Sequence, residues 1–336
     1  MSGNSEINNA KVLVTGATGF IGSHLVDSLL ERECNVHCLV RASSDLKWLP
    51  KERITCHVAD LLDPEIPPSC LEGLEHVFHC AGVTVSRTRK GYFDVNATAC
   101  RSLFERLLPA AAQLKSVVHL SSLAAVGPSA DPHNPVDETS PCAPVTHYGH
   151  SKLAGEKIAL EYADRLPIMV IRPPVVYGAR EVNFFTYLEK LKQGWFIRVG
   201  KETRHLSIVH VQDLVRAMRI AAGSASGEDR VYLVTDGELY HWEEVSRIAS
   251  EILNTRPRTL TLPESLVRFA ATLSEMNAAW TGKPALLDRQ RFIDIRQTAW
   301  TASSGKFFRT FDFQPEYKLQ RGLEVTLDWY RRHGWL

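Results

Sequence analysis

A glycine-rich loop set between a strand and a helix restricts this chain more than any other feature. Residues 12–15 form a short apolar run, and Thr15-Gly16-Ala17-Thr18-Gly19-Phe20-Ile21-Gly22 follows at once. Residues 20–32 then place Phe20, Ile21, Leu25, Leu29 and Leu30 on one helical stripe. Glycines at 16, 19 and 22 suit a tight turn, a close backbone approach to a pyrophosphate and close packing of helix on strand. The exposed amides at the helix start favour negative charge. Thr15, Gly16, Thr18, Gly19, Phe20, Ile21 and Gly22 are therefore expected to cradle the diphosphate of a dinucleotide. A glycine loop without a nucleotide is the alternative, and the flanking strand and helix weigh against it.

Further apolar, β-branched runs occur at residues 36–40, 54–59, 76–79, 116–120 and 168–171, with helical patterns between most of them, notably at 93–114 and 148–165. This alternation predicts an α/β fold, a doubly wound parallel Rossmann sheet with ligands at the carboxyl ends of its strands. After about Gly178 the pattern changes to mixed short strands and helices, with helical segments at 183–193, 211–222, 242–253, 265–280 and 323–333. Residues 1–178 are thus expected to form the dinucleotide-binding domain with the catalytic residues. Residues 179–336 should form a smaller mixed substrate lobe, from which 206–214 and 231–235 return to the main sheet. A chain of 336 residues, 44% hydrophobic, buries enough for both.

A net charge of +1, with no long basic run, argues against nucleic acid as a partner. Seven cysteines, none in Cys-x-x-Cys spacing, fit reduced thiols better than a disulfide framework. The polar first ten residues carry no signal-like segment, and no apolar run approaches a bilayer span, so a cytoplasmic location is expected. The thirteen histidines show no helical metal-binding pattern, so no metal is expected.

Tyr148 and Lys152, at i and i+4 of a predicted helix, share one face and aim at one centre. The phenol then serves as general acid toward a ketone or as base toward an alcohol. An ammonium about 5 Å away at an effective dielectric of about 20 offers roughly 3 kcal/mol to the phenolate. The strand at 116–120 ends in Ser121-Ser122, and Ser122 is the candidate to hold the carbonyl oxygen. At the end of the second strand, Arg41 with Ser43 and Ser44 stands where an acid would accept a ribose 2′-hydroxyl. That favours a 2′-phosphate, hence NADP, with NAD as the alternative. Asp60 and Leu61 are placed at the adenine edge, and Cys80, Ala81 and Gly82 beside the cofactor at the end of the fourth strand.

Together with Asn96, Val126-Gly127, Arg172-Pro173 through Tyr177-Gly178 and His210-Val211-Gln212-Asp213, these residues resemble the extended short-chain dehydrogenase/reductase family over most of the chain. The resemblance implies a catalytic triad of Ser122, Tyr148 and Lys152 supported by Asn96. Pro173 and Val175 join the cofactor site, and Thr84, Ser122, Tyr177, Phe184 and Phe185 meet a small-molecule substrate. It also implies a homodimer. Within the family, sugar-nucleotide members carry a diphosphate-binding asparagine where this chain has Val175, and dehydratases an acidic pair that Leu123-Ala124-Ala125 lacks. The pattern is closest to dihydroflavonol reductases and 3β-hydroxysteroid dehydrogenases acting on a fairly apolar alcohol or ketone. Arg198, Lys201 and Arg204 instead suit phosphate binding and keep a sugar-nucleotide epimerase or dehydratase as the alternative, with a non-catalytic NADP sensor third. Phe184, Phe185, Tyr187 and Trp195 are candidates to line an apolar pocket. The apolar stretch 262–280 suits packing or peripheral contact with a membrane.

Overall fold

The structure, a computed structural model, describes residues 6–62, 66–224, 229–281 and 287–336, with the backbone alone for 277–281. Six strands, β1 (Lys11–Thr15), β2 (Asn35–Val40), β3 (Thr55–Val58), β4 (His76–His79), β5 (Ser116–Leu120) and β6 (Ile168–Arg172), join Val231–Leu233 in one sheet. The order is Val231–Leu233, β6, β5, β4, β1, β2, β3, and every pairing is parallel. The order reverses between β1 and β4, which opens a crevice at their carboxyl ends. Register aligns Thr15 with both Leu39 and His79, and His79 with His119, so the strand ends form one rim.

The strands read as near-continuous apolar runs because both faces are covered. Val12 and Val14 point into a core with Leu25 and Leu29 of the helix Phe20–Leu30. Leu13 points the other way, toward Leu103 and Phe104 of the helix Ala99–Leu107. The helix Val211–Gly223 covers the first of these faces, and Val231–Leu233 lies at the sheet edge. Ile208–His210 instead pairs with Val175–Tyr177 outside the main sheet, and His205–Leu206 lies between Tyr240–His241 and Ala299–Trp300.

The helical pattern at 93–114 is broken in the structure into Arg89–Phe93, a π-helical turn Asp94–Thr98 and Ala99–Leu107. Two helices, Arg289–Ile295 and Gly305–Phe311, are too short to show a period in sequence. Among the described residues no helix is long and apolar enough to cross a membrane.

Candidate active site

Gly16 turns with φ +70°, and a Cβ there would lie 2.6 Å from the backbone of Cys80 and Ala81. Only glycine lets β1 end against β4 this way. The Gly19 amide donates to the Gly16 carbonyl at 3.0 Å, and the helix that follows starts at Gly19 without a side-chain cap. Its first amides therefore need an outside acceptor. Gly16, Thr18 and Gly19 line a cavity of about 290 Å³, closed by Cys80, Ala81 and Gly82. Thr15 and Gly22 are buried beneath it. The Thr15 hydroxyl lies 2.7 Å from His79 Nδ1 and accepts the Ala81 amide at 3.3 Å, fixing the loop to β4. Phe20 and Ile21 form the first helical turn while their side chains pack on the core.

Arg41, Ser44, Asp60 and Leu61 line the far end of the same cavity. The Arg41 amide donates to Ser44 Oγ at 3.0 Å, and the Ser44 amide to the Arg41 carbonyl at 2.9 Å. This turn brings a guanidinium and a hydroxyl to one rim. Asp60 is exposed and accepts the Leu62 amide at 3.0 Å, so its carboxylate also holds its own turn. A glycine floor, free helix amides and a basic outer rim fit a dinucleotide.

A second cavity, of about 260 Å³, is lined by Thr84, Ser122, Tyr148 and Val175. Tyr148 and Lys152 stand on the helix His147–Glu161, whose N-cap Thr146 accepts the Gly149 amide at 3.0 Å. Ser122 caps the short turn Leu123–Ala125, accepting the Ala124 amide at 3.1 Å, and lines the cavity together with the Tyr148 phenol. Burial pushes the Tyr148 hydroxyl above its ordinary value; the nearby Ser122 hydroxyl opposes this, while the Asp294 carboxylate and the Tyr92 phenol add to it.

Lys152 is buried and donates from Nζ to the Leu120 carbonyl at 2.6 Å. Burial lowers its pKa, against the pull of Cys100, Cys80 and Glu156. The Tyr148 hydroxyl is thus raised rather than lowered. The ammonium is held at the end of β5, close enough to Gly82 that a Cβ there would lie 3.7 Å from Nζ.

Asn96 sits in the π-helical turn, buried, and does not line the cavity. Its Oδ1 accepts the Val83 amide at 2.8 Å, and its Nδ2 donates to the Val83 carbonyl at 3.0 Å and to Ser151 Oγ at 2.9 Å. It positions the segment after β4 against the helix His147–Glu161. Ser121 points away from the cavity and donates to Glu156 at 2.8 Å, and Glu156 accepts both Nε and Nη2 of Arg172 in a buried ion pair. No sequence signal singled out this group, although Glu156 lies one helical turn from Lys152.

Several expectations are corrected. Tyr177 and Phe184 are core residues, packed on each other and on Leu188, and Phe185 packs on Tyr330 and Trp335, so none lines the substrate cavity. Tyr187 packs on Trp242 in that cluster, and Trp195 is exposed. Pro173 acts through its carbonyl, which accepts the Leu123 amide at 2.8 Å, and Val175 lines the substrate cavity rather than the nucleotide one. Arg204 is buried and donates to the carbonyls of Ile295, Val199 and Glu202 and to Glu264. Arg198 donates to the carbonyls of Gly200 and Lys201 and to Glu243. Both are engaged within the protein.

The cavity instead takes Gln290, Arg291 and Asp294 from the short helix Arg289–Ile295, together with Asn183 and Trp300. Gln290 Oε1 also accepts the His147 amide at 2.6 Å, joining that helix to the catalytic one. Nothing in the sequence marks these residues, since they lie far from Tyr148 in a segment without periodicity. His79, Cys100 and His119 bring their donor atoms within 4.8 Å of one another in the core. Burial and the charge of Lys152 lower both imidazoles, His79 to about 3, and they pack there as neutral rings.

Residues 12–234 match the model of the NAD dependent epimerase/dehydratase family. The chain belongs to this family. Over 327 residues it is 27% identical to the ceramide reductase of Caulobacter vibrioides, covering 97% of this chain and 96% of that one. It is 26% identical over 334 residues to the N-acetyl-alpha-D-glucosaminyl-diphospho-ditrans,octacis-undecaprenol 4-epimerase of Escherichia coli O157:H7, covering 97% of each. The crystal structure of gox2253 superposes with a TM-score of 0.79 at 26% identity, over 98% of this chain and all of that one. This is an extended short-chain dehydrogenase/reductase enzyme that depends on a nicotinamide dinucleotide.

Proposed function

We propose that this enzyme is an NADP-preferring oxidoreductase acting on a secondary alcohol or ketone of a fairly apolar, lipid-like substrate. The observation that carries the reading is the second cavity. It joins the Ser122 and Tyr148 hydroxyls to the apolar Val85, Leu123, Pro174, Val175 and Trp300, while Arg198 and Arg204 are bound elsewhere. The likeness to a ceramide reductase over nearly the whole chain supports the same substrate class. The nicotinamide supplies or takes up the hydride. Ser122 orients the substrate oxygen, and Tyr148 gives a proton to it or removes one. Lys152, fixed on the Leu120 carbonyl, sets a positive charge at the end of β5 beside Gly82. Arg41 and Ser44 offer a guanidinium and a hydroxyl to a 2′-phosphate.

A second reading, an epimerase of a lipid-linked sugar that retains its cofactor, is favoured by polar Asn183, Gln290 and Arg291 in the cavity and by the likeness to the undecaprenol-linked enzyme. Absorbance of free reduced cofactor with long-chain and steroid ketones separates the two. We expect NADPH to be consumed faster than NADH and Arg41→Ala to erase that preference. Tyr148→Phe should lower turnover about 10²–10⁴-fold with cofactor affinity kept. Tightly retained cofactor and no consumption with any ketone would overturn the oxidoreductase reading.

A further inference from the structure

The helix Glu264–Thr281 is apolar on two sides. Val267 and Ala271 are buried with Phe292 against Val199 and Leu262, the packing an amphipathic helix needs. Leu266, Phe269, Leu273 and Met276 are 51%, 61%, 49% and 64% exposed. At about 100° per residue these four fall in one sector roughly 80° wide, almost opposite the buried pair. A folded helix ordinarily presents polar residues there.

The two-stranded ribbon of Trp195–Val199 and Arg258–Leu262, on which the helix packs, carries further exposed apolar residues. Its register pairs Arg258 with Trp195, Leu260 with Ile197 and Leu262 with Val199, so these side chains share one face. Val199 and Leu262, at one end of that face, are covered by the helix. Trp195, Ile197 and Leu260 are left 45%, 44% and 42% exposed. Seven large apolar side chains thus flank one small cluster, more than scattered surface residues produce.

The charge around them leans positive, with Glu202 the exposed acid at the ribbon's end. The helix acids are engaged, Glu264 by Arg204 at 3.0 Å and Glu275 by Arg289 at 2.9 Å, whereas Arg256, Arg258 and Arg268 are exposed. Phe292 of the helix Arg289–Ile295 packs in the same cluster, and that helix carries Gln290, Arg291 and Asp294 to the substrate cavity. We infer that this surface docks on an anionic lipid bilayer, with the exposed stripe in the acyl boundary and the three arginines on the headgroups. The adhesion stands on the surface alone. Its use, bringing the cavity to where an apolar substrate is dissolved, rests on the function proposed above.

Cosedimentation of the full chain with phosphatidylglycerol and phosphatidylcholine vesicles tests the inference. The wild type should pellet with phosphatidylglycerol, less with phosphatidylcholine, and less again at high salt. Phe269→Glu with Leu273→Glu should lower vesicle partitioning about tenfold or more with NADP(H) affinity and thermal midpoint kept. Arg256→Glu with Arg258→Glu should remove the preference for the anionic lipid. Absence of binding to either vesicle, retention of binding by the Phe269/Leu273 variant, or a solution dimer that this variant splits without any vesicle binding, each overturns it. A failed redox reading would leave vesicle binding intact, and a failed docking reading would leave cofactor turnover intact.

Discussion

Tyr148 stands between opposed influences, and the balance is set by residues on three different segments. Burial and the Asp294 carboxylate hold its hydroxyl above the ordinary phenol range, and the Ser122 hydroxyl pulls the other way. In alcohol oxidation the ionised phenol is the base, so activity rises with pH until Tyr148 has titrated. Asp294→Asn removes a negative charge that disfavours the phenolate. The rising limb of the pH–rate profile for oxidation should therefore move to lower pH, and an unmoved limb with a reduced plateau would assign Asp294 to substrate contact alone. Ser122, Tyr148 and Lys152 were legible in sequence because a strand end and an i, i+4 spacing each leave a local mark. Asp294 and Gln290 leave none, since their place depends on how a distant short helix docks. Tyr177, Phe184 and Phe185 were misread for a related reason: an aromatic side chain in a closing lobe looks the same whether it faces a ligand or the core.

The element on which the chemistry turns is the helix His147–Glu161, seated unusually close to its neighbours. A Cβ on Gly155 would collide with the carbonyl of Asn96, and one on Gly149 with that of Ala124. Gly155→Ala should therefore cost about 1–3 kcal/mol in urea unfolding. Because Tyr148 and Lys152 ride on the same helix, the displacement should lower turnover by as much as about 10²-fold, read in single-turnover kinetics. Unchanged stability together with unchanged turnover would show that the helix has room to spare. The sequence marked this helix well but read 93–114 as one continuous helix. A π-helical turn adds a single residue, too small a break to stand out in the apolar pattern, and here, around Asn96, it is visible only once Val83 and Ser151 are in place to be clamped.

At the scale of the molecule, the parallel sheet was the most legible feature, because buried strands are apolar runs whatever covers them. Which helices cover them was less so: Val211–Gly223 comes from the chain beyond the expected boundary. The core also holds an unusual store of neutral imidazole. His24 and His76 are lowered to about 4, and His79 and His210 to about 3, in each case chiefly by burial. Unfolded, each binds its proton near pH ~6.5, so the unfolded state takes up more protons below that value. Stability should be level above pH ~6.5 and fall below it, by up to about 1.4 kcal/mol per pH unit for each histidine, down to the folded pKa values. Calorimetry across this range checks it, and a level midpoint down to about pH 5 would contradict it. The bond from the His147 amide to Gln290 spans 143 positions of sequence. A ribosome therefore releases the base-bearing segment long before the residue that seats its first turn has been made. The His147 amide finds its partner only when the tail has folded back, so a chain cut short before Gln290 keeps the Thr146 cap but lacks this bond.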